Sequence, residues 1–111
     1  MHSIAFLFKR TPGMTPDEFE HHYKNVHGPI AAQLPGLKEY RQYPIRKANE
    51  GDVHAHIPPD FDALSVYVFE STEAAEAAWE SPENREVQID TLKFIDVETM
   101  ITLPLMLRQV V

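Results

Sequence analysis

Ser3-Ile-Ala-Phe-Leu-Phe-Lys-Arg10, Thr11-Pro-Gly-Met14 and Thr15-Pro-Asp-Glu18 follow one another without a break and decide what kind of fold this is. Ile4, Phe6 and Phe8 alternate with Ala5, Leu7 and Lys9, which is the period-two signature of a strand with one strongly apolar face and one mixed face. The Pro-Gly turn stops the strand. Thr15 then supplies an N-cap hydroxyl, Pro16 occupies the first helical position, where an N–H is not needed, and Glu18 closes a capping box. Asp17 and Glu18 also sit at the favourable, positive end of the helix dipole.

Working outward, Phe19, Tyr23, Val26 and Ile30 form one narrow stripe along this helix. Pro29 removes a backbone donor, so the helix is expected to kink or break near Gly28-Pro29, restart, and end at Pro35-Gly36. Leu37 to Ile45 reads as a second strand, with Leu37, Arg41, Tyr43 and Ile45 on one side and Tyr40 on the other. Residues 47–60 form a long polar loop, a length that is uncommon in compact domains unless it serves function. Asp62 to Glu70 is the clearest strand, with Leu64, Val66 and Val68 opposite Tyr67 and Phe69. An Ala-rich helix runs from Ser71 or Thr72 to Glu80, Ser81-Pro82-Glu83 starts another that reaches about Phe94, and Thr99 to Leu107 alternates again.

The element order is therefore β-α-β-β-α-β. Proline cannot donate to a strand ladder and is confined mostly to edges. Pro44 and Pro104 place strands two and four outside and leave one and three central, which gives an α+β, ferredoxin-like antiparallel sheet of order 4-1-3-2. Two helices cover one face of such a sheet. The strands are apolar on both faces, so the uncovered face is expected to meet a second copy, two protomers making a dimeric α+β barrel.

Composition narrows the function. The 111 residues suit one domain, residues 1–111, and the net charge of −7 argues against nucleic acid and anionic membrane surfaces as partners. No cysteine is present, which excludes thiolate catalysis, disulfides and cysteine-ligated metals. No apolar run approaches a membrane span, and the opening Met-His-Ser-Ile lacks a basic leader, so a cytoplasmic location is expected.

Few residues remain that can do chemistry. His27 lies roughly 70° from the centre of the helical stripe at about 100° per residue, on the boundary between buried and exposed, beside the Gly28-Pro29 break. An imidazole there either works as an acid or base near neutral pH or clamps a backbone carbonyl at the kink. As a boundary residue, it is expected to cost little stability when removed. His21 points to solvent and His22 packs on the other flank. Tyr23, Tyr40, Tyr43 and Tyr67 offer hydroxyl handles to a substrate, and Arg41 offers a guanidinium to a carboxylate. Asp96 either ends a solvated helix face or orients a histidine.

Three segments, Lys9-Arg-Thr-Pro-Gly-Met-Thr-Pro-Asp-Glu-Phe19, Asn25-Val-His27-Gly-Pro29-Ile and Leu34-Pro-Gly-Leu-Lys-Glu-Tyr40, resemble the EthD family. Ser81-Pro-Glu and Lys93-Phe-Ile-Asp96 are similar to its second half. The resemblance implies the dimeric α+β barrel superfamily, and it implies His27 as a pocket residue. The family takes its name from an ethyl tert-butyl ether degradation cluster. Relatives on the fold include muconolactone-type isomerases, polyketide cyclases, dehydratases, cofactor-independent monooxygenases and haem-degrading enzymes, and fold alone does not choose among them. The expectation is acid–base isomerase, cyclase or dehydratase chemistry with no cofactor, on a small hydrophobic oxygenated catabolic or polyketide-like intermediate. The alternatives are a non-catalytic ligand-binding or accessory protein for an oxygenase, or a monooxygenase.

The 47–60 loop matches no motif of that family. Within it, Asp52, His54 and His56 stand at the i, i+2, i+4 spacing that can converge on a divalent ion, yet no fourth ligand lies nearby in sequence. Native, untagged protein is therefore expected to carry no tight metal. Stoichiometric zinc or nickel by elemental analysis, lost on His54→Ala or His56→Ala, would overturn this.

Overall fold

The structure, a computed structural model, describes residues 1–45 and 61–111. The 47–60 loop lies outside the described residues. Four strands, β1 (His2–Phe8), β2 (Leu37–Pro44), β3 (Ala63–Phe69) and β4 (Ile101–Leu105), form one antiparallel sheet in the order β2-β3-β1-β4. This is the sheet expected from the prolines. Pro44 and Pro104 both fall on edge strands, where a missing donor faces no partner.

The helices form as their caps dictate. Thr15 accepts from the Glu18 N–H and the Glu18 carboxylate accepts from the Thr15 N–H, a complete capping box ahead of α1 (Pro16–His22). Ser71 and Ser81 cap α3 (Thr72–Trp79) and α4 (Pro82–Phe94) through their hydroxyls alone, which accept from the Ala74 and Asn84 N–H. Between α1 and the short α2 (Gly28–Ala31) the chain stays helical but changes type. It widens into a single π-helical turn, Tyr23–His27. Pro29 has no N–H and its ring crowds the carbonyl four residues back, so the Gly28 N–H reaches five residues back, to the Tyr23 carbonyl. Gln42 of β2 donates to the same carbonyl at 2.9 Å. A β-carbon on Gly28 would lie 3.1 Å from that amide, so glycine is what allows β2 to approach.

The wider turn changes which side chains face inward. Phe19, Tyr23, His27 and Ala31 are the buried set, at strict four-residue spacing, and Val26 and Ile30 are only half-buried. One strand face also differs from the sequence reading. The register shifts between Leu37 and Glu39, so Leu37 pairs with Phe69 and packs in the core, not on the side of Arg41 and Tyr43.

The helices lie on the face of Phe6, Phe8, Ser65 and Tyr67. Two aromatic clusters fill that layer, one around Phe8, Phe19, Tyr23 and Phe94, the other around Tyr67, Phe69 and Trp79. The opposite face carries Leu7, Leu64, Val66, Tyr43, Ile101 and Leu103, and nothing in this chain's described residues lies over it. Among the described residues no helix is long and apolar enough to cross a membrane.

Candidate active site

Asp90 organises the site. It sits on α4 in the buried series Asn84, Val87, Asp90, Phe94, and it is 2% exposed. Its two oxygens are divided between two histidines of the facing helix. The Oδ1 is 2.9 Å from His22 Nε2 and the Oδ2 is 2.8 Å from His27 Nδ1. Residues five apart on a regular α-helix point about 140° away from each other and cannot share a partner. The π turn brings them onto one side. A carboxylate only accepts, so each nitrogen that faces it is an N–H, which fixes His27 as the Nδ1–H tautomer and leaves Nε2 with the lone pair.

His27 Nε2 has no hydrogen-bond partner among the described residues, and the ring lines a cavity of about 700 Å³ between α4 and β1. Ile4, Phe6, Tyr67, Trp79, Val87 and Ile95 make its walls largely apolar. Phe6, Tyr67 and Trp79 meet edge to face, with ring centroids 5.7–6.1 Å apart. Burial pushes the His27 imidazole below its ordinary value, and its hydrogen bond to Asp90 pulls it part of the way back. The result is a neutral base at physiological pH, held by a carboxylate and aimed into an apolar space. In serine hydrolases an aspartate performs the same service for a histidine.

The other sequence candidates divide. Tyr67 lines the cavity, and Tyr40 stacks behind it with rings 4.6 Å apart and nearly parallel. The Tyr40 hydroxyl accepts from Gln42 Nε2 at 2.8 Å and lies beside those of Tyr67 and Ser65. Tyr23 does not line the cavity. Its hydroxyl anchors the helix to β3, donating to the Leu64 carbonyl at 3.2 Å and sharing a 2.7 Å hydrogen bond with Ser65. Burial raises all three phenols above their usual range, so they act as neutral hydrogen-bonding groups. Arg41 is on the opposite sheet face, exposed and paired with Glu39 at 2.7 Å, so it does not reach the cavity.

Three expectations are corrected. His27 is not a boundary residue, because the π turn rotates it into the core, where it is 3% exposed. His22 does more than pack. Asp96, weighed as a histidine partner, instead accepts from the Glu98 N–H at 3.3 Å and the Thr99 hydroxyl at 3.0 Å. The partner is Asp90, and the sequence signal for it was a carboxylate in phase with the buried Val87 and Phe94. His21 is exposed and accepts only from Asn25, as expected.

A ferredoxin-like α+β sheet with a carboxylate-held histidine in a lateral cavity defines the class. A family model described as the EthD domain matches residues 11–98, and the chain belongs to that family. An uncharacterised 11.0 kDa protein from the thcB–thcC intergenic region of Rhodococcus erythropolis is 30% identical over 95 residues, covering 78% of this chain and 86% of that one. The crystal structure of an EthD-family protein from Bacillus halodurans is similar with a TM-score of 0.76 at 18% identity, covering 97% of this chain and 100% of that one. A dimeric ferredoxin-like protein of unknown function from Thermobifida fusca has a TM-score of 0.65 at 18% identity, with 96% and 92% covered.

Burial makes His27 costly to remove. His27→Ala should leave Asp90 with one donor and lower stability by about 1–3 kcal/mol, a melting decrease of several degrees. The depressed His27 value also has a sign. The unfolded chain takes up the proton first, so stability should fall as pH drops through the ordinary value of 6.5. Calorimetry against pH should show this fall in the wild type and a shallower one in His27→Gln.

Proposed function

We propose that this chain is a cytoplasmic, homodimeric, cofactor-independent proton-transfer enzyme acting on a small, hydrophobic, oxygenated molecule. The observation that carries the reading is the His27 Nε2 lone pair in an apolar cavity, with Nδ1–H fixed to Asp90 at 2.8 Å. In the reaction, Nε2 takes a proton from a carbon next to a carbonyl and the C–H electrons move onto oxygen as an enolate. A hydrogen bond from the Tyr67 hydroxyl steadies that oxygen, and Tyr40 supports the Tyr67 ring from behind. Returning the proton to a different carbon completes an isomerisation. Passing it to a departing hydroxyl completes a dehydration. Tyr23 holds the helix in place, and Arg41 takes no part.

The homodimer is supported by the bare sheet face. Tyr43, Ile101, Leu103 and Leu105 on it are 36–45% exposed. Stable interfaces bury on the order of 1,600 Å² in total, and a second copy laid sheet on sheet covers this surface with the same residues from both sides.

The catalytic reading is tested without knowledge of the substrate. Hydrophobic ketones such as 2-tetralone and an aryl β-diketone, incubated with the protein in D₂O, should exchange their α-protons faster than in buffer, as followed by NMR. His27→Gln should remove the acceleration, by about 10²-fold or more for a general base. Equal rates for wild type and variant on every probe would overturn it and leave a ligand-binding protein. The dimer is tested by light scattering, with about 25 kDa expected from a 12.7 kDa chain. A stable monomer at low micromolar concentration would overturn it.

A further inference from the structure

The acid–base reading uses His27 and Asp90 and leaves His22 without a task. We propose that His22 is a positioning residue that holds the Asp90 carboxylate toward His27 and shares its single negative charge, so that His27 stays the neutral base.

The geometry supports both halves. Each Asp90 oxygen has one imidazole N–H, at 2.9 Å from His22 and 2.8 Å from His27, so the carboxylate cannot swing without breaking one of them. Both rings pack on Phe94 with centroids 4.7 Å away, which sets their tilt. The two imidazoles differ in their access to water. The His22 side chain is 19% exposed and that of His27 4%. One carboxylate neutralises one imidazolium. A second positive charge beside it meets repulsion, and the inner ring, cut off from water, is disfavoured as a cation.

Among the described residues, Asp90 and His22 are the titratable groups that act on His27. From α4 the titratable group facing the pair is Asp90 itself. Tyr23 from their own helix, Tyr40 from β2 and Tyr67 from β3 face the cluster as neutral phenols, because burial raises each of them. Glu20 acts on Tyr23. Competition for Asp90 therefore adds to burial, the larger effect, in keeping His27 neutral.

The proposal rests on the acid–base reading, but its test needs no turnover. Long-range ¹H–¹⁵N NMR of the intact protein reports both the tautomer and the titration of His27. Wild type should show the Nδ1–H tautomer. His22→Gln keeps a donor toward Asp90 and removes the competing imidazole, so the His27 midpoint should move up. In an Asp90→Asn background the same substitution should move the midpoint less, since the shared charge is gone and only direct repulsion between the rings remains. A ring that served only as packing on Phe94 would act alike in both backgrounds. His22→Asn gives the same comparison should His22→Gln fold poorly. An unmoved or lowered midpoint, an equal shift in both backgrounds, or an Nε2–H tautomer in the wild type would overturn the proposal. Any of these results leaves the ketone-exchange test of His27→Gln standing on its own, and a failed exchange test leaves the coupling measurable.

Discussion

A carboxylate taken almost wholly out of water costs several kcal/mol unless its oxygens are met by donors. Asp90, at 2% exposure, is that group, and much of the architecture around it answers the need. Two imidazoles must arrive from one helix at two oxygens of one side chain. A regular α-helix cannot deliver residues five apart, so the helix must widen between them. Pro29 makes the wider turn the economical one, Gly28 lets β2 come close, and Gln42 gives the Tyr23 carbonyl its second donor. One proline, one glycine and one glutamine thus hold the geometry in which a buried acid and a buried base coexist.

The same layer explains why there is room for a ligand. The helices pack closely where the Phe8–Phe19–Tyr23–Phe94 and Tyr67–Phe69–Trp79 groups interlock. Beside them α4 presents Gln88, Thr91 and Leu92 to the cavity instead of a ring. The gap that follows is walled by aromatic edges and opens beside His27. In so apolar a space, hydrogen bonds and partial charges act at greater strength than in water.

What could be read from the sequence was local chemistry. Thr15 with Glu18, and Ser81 with Pro82, mark helix starts because a cap is a contact between neighbours in the chain. The edge prolines gave the strand order because a missing donor has one consequence wherever it occurs. Leu37 was placed on the wrong face because a bulge inserts a residue into the alternation, and period two carries no sign of it. His27 was placed on a boundary because the wheel assumes 100° per residue, and the turn that contains it does not obey that. Asp90 was visible in principle, as an acid in phase with Val87 and Phe94. Its histidines lie 63 and 68 residues away in the chain, and nothing in local spacing joins them.

Pro44 and Pro104 have a consequence beyond strand order. An open sheet edge is a template on which further strands can grow, and flat edges of this kind seed fibres. Each flank of this sheet ends in a strand whose outward row of donors is broken by a proline, so a foreign strand laid there loses a rung. Growth along the sheet is blocked at both ends while its apolar face stays open. Contact through a face, about a two-fold axis, is complete once two surfaces have met and leaves no free end. The chain can thus expose a greasy surface and still be protected from open-ended polymerisation.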